Sequence, residues 1–128
     1  MDLLKLFQHN VGSKVIQADH PVFREGDKGD FMFVLMEGRA DILIGDEVVE
    51  SARPGAIFGE MALVDKGPRS ATVMARTACR VLPIDGGRFN ALIQTKPDFA
   101  RHVMKVMAER IRSMNERKTL KMEHHLKF

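Results

Sequence analysis

Glu60 and Arg69 stand nine residues apart in the run Phe58-Gly59-Glu60-Met61-Ala62-Leu63-Val64-Asp65-Lys66-Gly67-Pro68-Arg69-Ser70-Ala71-Thr72-Val73. A carboxylate can accept the hydrogen bond of a sugar hydroxyl. A guanidinium can set its planar fork on the oxygens of an anionic phosphate. The segment from Gly59 to Leu63 can turn into a short helix whose free N–H groups face the same anion. Ala62 and Ala71 are small enough to let the backbone approach closely. A nearby guanidinium favours the charged form of an acid, so Arg69 is expected to hold Glu60 ionised. The bland alternative is an ion pair that only orders a loop, which is costly when buried unless further hydrogen bonds complete it.

Other routes to chemistry find little support. The histidines at 9, 20, 102, 124 and 125 are scattered, and His124-His125 has no further ligand at metal spacing. Cys79 lies in a strand-like run with no evident activating base and reads as a small buried apolar residue. No Gly-x-Ser-x-Gly, phosphate-gripping loop or paired acids suggest catalysis. The expectation is a binding protein, not an enzyme, with no metal and no cofactor.

The elements that must position Glu60 and Arg69 follow from short apolar runs broken by glycine. Val15-Ile16, Val22-Phe23, Phe31 to Leu35, Ala40 to Ile44 and Val48-Val49 are too brief for helices. Gly26-Asp27, Gly29-Asp30, Gly38, Gly45-Asp46 and Pro54-Gly55 interrupt them. This spacing predicts a small all-β sandwich or barrel, with Gly45-Asp46 as a hairpin turn. Ser70 to Ala75 and Cys79 to Ile84 add two strands after the Glu60–Arg69 stretch. Residues 1 to 9 read as a short helix or arm.

After Asp85 the period becomes helical. Asp85 can cap a short helix carrying Phe89, Leu92 and Ile93. Pro97 opens a longer helix with Asp98 in its first turn. Met104, Met107, Ile111 and Met114 form one narrow seam on it, and Phe99, Val103 and Val106 a second stripe. Two stripes suit a helix that touches both its own β-domain and a partner; a single broad core-facing side is the alternative. Past Asn115 no firm pattern is visible. The expected division is one domain over 1–128, with strands over about 13–85 and helices over about 86–118.

The chain has 128 residues, enough for one domain with a core, and a single cysteine, which forms no internal disulfide. No apolar run approaches a membrane span and the N-terminus lacks a signal pattern, so a cytoplasmic protein is expected. Net charge is +3, with Arg and Lys in excess from Arg101 onward. A basic tail can touch nucleic acid, but a solvated helix face explains it more simply, and with no Trp or Tyr there is little to stack single strands on. DNA is therefore not an expected partner.

The Phe58–Val73 stretch resembles the phosphate-binding cassette of cyclic nucleotide-binding domains: Phe-Gly-Glu, a few apolar residues, then Pro-Arg-Ser/Thr/Ala-Ala-Thr-Val. The resemblance extends over roughly residues 13 to 115. It implies a mainly β fold with C-terminal helices: a jelly-roll-type β-roll followed by a short helix and a longer lid helix. It implies that Phe58, Gly59, Glu60, Met61, Ala62, Arg69, Ser70 and Ala71 bind a cyclic nucleotide, Glu60 through the ribose 2′-hydroxyl and Arg69 through the phosphate. It places Ile42 and Ala52 along the ribose and base, and Arg110 and Met114 on a helix covering the base. Ser70, where a threonine can favour guanine, points to cAMP over cGMP. Such domains sense ligand in catabolite activator-type regulators, cyclic nucleotide-gated channels and protein kinase A regulatory subunits. Here no output domain follows, so the expectation is a stand-alone cAMP sensor whose last helix responds to ligand and meets a protein partner or a second copy. The alternatives are a cGMP-preferring sensor, or a same-fold interaction module that binds no nucleotide.

Overall fold

The computed structural model describes residues 1–125. A short helix α1 (Leu3–Phe7), capped by the Asp2 side chain accepting from the Lys5 N–H, leads into eight strands. These are β1 (Lys14–Ile16), β2 (Pro21–Phe23), β3 (Phe31–Glu37), β4 (Ala40–Ile44), β5 (Glu47–Ala52), β6 (Ile57–Phe58), β7 (Thr72–Ala75) and β8 (Cys79–Asp85). Helix α2 (Glu60–Asp65) lies between β6 and β7, and α3 (Gly86–Thr95) and α4 (Pro97–His125) follow β8. The strands form two four-stranded antiparallel sheets, β1-β8-β3-β6 and β2-β7-β4-β5. This is the jelly-roll-type β-roll with C-terminal helices that the resemblance implies; the glycine-broken runs by themselves predict only a small all-β sandwich or barrel.

Strand alternation divides the apolar residues between two cores. On β3, Met32, Val34 and Met36 face the helices, while Leu35 faces the space between the sheets. On β8, Leu82 and Ile84 join the helix-side core, and Cys79 and Val81 the inter-sheet core. Phe99 of α4 is fully buried among Phe7 of α1 and Phe89 of α3, its ring edge-on to both at 6.4 and 6.2 Å. These rings seat the start of α4 on the β-roll.

Gly45-Asp46 turns the β4–β5 hairpin as expected, pairing Ile44 with Glu47 and Leu43 with Val48. An irregularity then shifts the register, so Ile42 pairs with Glu50. Asp85 caps α3 by accepting from the Arg88 N–H. Helix α4 runs on to His125, beyond the expected end near 118. Its apolar seam is divided. Phe99 and Val103 are buried and Val106 and Met107 pack on the helix-side core, but Met104 and Ile111 are exposed. Phe99, Val103, Val106 and Met107 thus form the core-facing stripe, and Met104 and Ile111 are left outside it. Among the described residues no helix is long and apolar enough to cross a membrane, and no cluster of three His, Cys, Asp or Glu could hold a metal. Of the basic tail, Lys127 lies outside the described residues, as do the side chains beyond Thr119.

Candidate functional site

Helix α2 begins at Gly59, whose φ of 83° lies in the left-handed region that glycine occupies without strain. That turn swings Glu60 inward. Glu60 and Arg69 are the two buried charged residues among the described chain, 2% and 5% exposed. Both line one cavity of about 70 Å³ between β4, β5, α2 and α4, walled by Ile42, Ile44, Val49, Val73 and Phe58.

Arg69 is held from several sides. Its N–H donates to the Asp27 carbonyl and its carbonyl accepts from the Gly26 N–H, both at 2.8 Å. Its guanidinium donates through Nη1 to the Gly59 carbonyl at 3.1 Å and through Nη2 to the Phe31 carbonyl at 2.7 Å. It lies 4.1 Å from the centroid of the Phe23 ring. Nε is buried and has no hydrogen-bond partner among the described residues. Burial pulls this guanidinium below its ordinary pKa, and the carboxylates of Asp30, Asp27 and Glu60 offset only part of that. Because an arginine keeps its proton, the site holds a cation with capacity for a further anion.

Glu60 is arranged differently from the expectation. Arg69 feels its charge, but the cation bonded to it is Arg110 of α4. Arg110 Nη1 donates to Glu60 Oε1 at 2.6 Å, and Nη2 donates to the Ile57 carbonyl at 2.6 Å. Arg110 also grips Glu50 of β5 with both ends of its fork, Nε on Oε1 at 3.1 Å and Nη2 on Oε2 at 3.0 Å. Burial acts to lower the Arg110 pKa, but the bond to Glu50 and the charge of Glu60 outweigh it and raise the group above its ordinary value. Glu60 Oε2 is buried with no hydrogen-bond partner among the described residues. A Glu60–Arg69 pair that merely orders a loop is not what forms.

The cavity brings together Ile42, Phe58, Gly59, Glu60, Met61, Ala62, Arg69, Ser70, Ala71, Arg110 and Met114. Ser70 Oγ lies 3.9 Å from Met61 Sδ. Ala52 is the correction. It pairs with Ala40, is 1% exposed and belongs to the inter-sheet core, not the cavity wall. Its methyl is too short to leave the packed β4–β5 layer; Glu50, two residues earlier on the same face, reaches the cavity instead. The sequence reading also missed the apolar wall residues Ile44, Val49 and Val73, and Phe23, Ser113 and Arg117. Arg117 pairs with Glu47, and its Nη2 lies 3.3 Å from the Val48 carbonyl at the hairpin. Its seven-residue spacing from Arg110, two helical turns along one face, was the available signal.

Comparison with known proteins adds an independent finding. The family model described as "Cyclic nucleotide-binding domain" matches residues 13–96. The chain is 37% identical over 97 residues to a cyclic nucleotide-gated potassium channel of Rhizobium etli, covering 76% of this chain and 27% of the channel. It is 29% identical over 92 residues to a cAMP-dependent protein kinase regulatory subunit of Eremothecium gossypii, covering 72% and 20%. The chain therefore spans about a quarter or less of these relatives. Among solved structures, PKAR CBD2 with Sp-2Cl-cAMPS bound superposes with a TM-score of 0.69 at 28% identity, covering 82% of this chain and 70% of that one.

Proposed function

The chain belongs to the cyclic nucleotide-binding domain family, and from that premise we propose that its cavity takes cAMP in preference to cGMP and reports occupancy through α4. The observation that carries this reading is the convergence of two incompletely bonded buried groups on one apolar-walled space. Arg69 supplies positive charge for a cyclic phosphate, and Glu60 Oε2 supplies an acceptor for a ribose hydroxyl. Ser70 is the hydroxyl beside the phosphate, and Ile42, Val49 and Met114 are apolar surface for ribose and base. The ligand is bound and released, not consumed.

The size of the cavity supports a moving α4. Sites for small molecules run to roughly 300–1,000 Å³, and about 70 Å³ is open here. A nucleotide therefore needs Met114 and Arg117 to yield, and both ride on α4. The exposed Met104 and Ile111 are the surface through which the displaced helix would meet a partner protein or a second copy.

Calorimetric titration with cAMP and cGMP tests the reading. Micromolar or tighter binding is expected for cAMP, with cGMP weaker. Arg69→Ala is expected to cost about 2–5 kcal/mol, the scale for removing one partner of a buried charged pair. A loss below about 0.5 kcal/mol would place the phosphate elsewhere.

A further inference from the structure

Two carboxylates compete for one guanidinium at the cavity. Glu50 takes the bidentate grip of Arg110, at 3.1 and 3.0 Å, and Glu60 receives a single bond from Nη1. The two acids differ in setting: the Glu50 side chain is 37% exposed, that of Glu60 only 2%. An unopposed Arg110 would find in Glu60 a buried carboxylate with a second oxygen still unbonded. Fork-to-carboxylate pairing is the preferred geometry of arginine, so the guanidinium would close on both Glu60 oxygens. Glu50 opposes this by holding Nε and Nη2 on its own carboxylate, Nη2 being shared with the Ile57 carbonyl.

We infer that Glu50 is a positioning residue that keeps Glu60 Oε2 open as the acceptor for a ligand hydroxyl, and so sets how strongly the site selects a ribonucleotide over its 2′-deoxy analogue. The inference rests on the cyclic nucleotide reading and adds a residue two bonds removed from the ligand: Glu50 acts on Arg110, and Arg110 acts on Glu60. Glu50 itself need not touch the nucleotide. Its removal leaves Arg69 and the apolar walls in place, so phosphate and base binding should persist while hydroxyl recognition fades.

The test compares two ligands on three proteins. The unaltered chain, Glu50→Gln and Glu50→Asp are titrated with cAMP or cGMP, whichever binds tighter, and with its 2′-deoxy form. The unaltered chain should prefer the ribonucleotide by about tenfold or more, the scale of a hydrogen bond to a charged acceptor. In Glu50→Gln that ratio should fall toward one, with ribonucleotide binding weakened about tenfold and 2′-deoxy binding changed less than about twofold. Glu50→Asp keeps the charge and should restore part of the ratio. Equal weakening of both ligands in Glu50→Gln, or an unaltered chain that does not discriminate between them, overturns the inference alone. An unaltered chain that binds neither cAMP nor cGMP overturns the cyclic nucleotide reading and this inference with it.

Discussion

A Cβ built on Gly29 would lie 2.2 Å from both Cζ and Nε of Arg69, and one on Gly59 would lie 2.5 Å from Nη1. The guanidinium is thus seated in a slot that two glycines leave open. Gly59 also needs its positive φ, so a substitution there mixes backbone strain with crowding. Gly29 sits in ordinary backbone, and the atoms it would strike are those of Arg69 itself. Gly29→Ala should therefore push the guanidinium off its Phe31 and Gly59 carbonyl anchors and weaken cyclic nucleotide binding by about 1.5–3 kcal/mol. Losing those buried bonds should also lower the melting temperature, and titration well below the variant's melting transition isolates the effect on binding. Glu60 and Arg69 were legible in the sequence because they sit in one contiguous stretch whose residue types name the ligand chemistry. Glu50 was not. A regular two-residue hairpin would set Val49 opposite Ile42, and only the irregularity in β4–β5 brings Glu50 there instead. Ala52 was misplaced because strand membership does not say which small residue reaches a cavity and which is capped by its neighbours.

Helix α4 is held in two different ways along its length. Its first half is seated by Phe99 and Val103, 0% and 3% exposed. Its second half is held by arginines: Arg110 on Glu50 and Glu60, Arg117 on Glu47. The first kind of contact was visible as a hydrophobic stripe. The second was not, because a polar run such as Glu116-Arg117-Lys118 carries no period until the hairpin it meets is known. That is why the helix was expected to stop short of its observed end. The division predicts where motion goes. Adding cAMP should alter amide exchange over about residues 105–119 and leave 97–104 unchanged; equal protection with and without ligand would reject a ligand-driven helix. Arg117→Ala removes a partly exposed ion pair worth about 0.2–1 kcal/mol. It should speed exchange in the same segment up to about fivefold, and added salt should shrink the difference from the unaltered chain.

Strands β3 and β8 carry one face of each core, so the helices and the β-roll are not separable bodies. Met32 and Val34 meet the helices while Leu35 of the same strand meets the other sheet, and Val81 and Leu82 divide in the same manner on β8. Phe99 stands at the centre of the helix side, against Phe7 and Phe89. Phe99→Ala should cost about 3–5 kcal/mol, a large share of the roughly 5–15 kcal/mol typical of a domain. Because both cores share strands, denaturant unfolding of the variant should stay a single transition, with a lower midpoint and an unchanged slope. Two separated transitions would show instead that the helices unfold from an intact β-roll. The cavity is far from Phe99 in sequence but uses the same helix, so ligand acts on the same equilibrium. Cyclic nucleotide at about a hundred times its Kd should return about 2.7 kcal/mol of the loss. Because any ligand of the folded chain stabilises it, coupling shows in affinity instead: weaker binding by Phe99→Ala would show that the docked N-terminal half of α4 supports the nucleotide site, and unchanged affinity would mean that the two are independent.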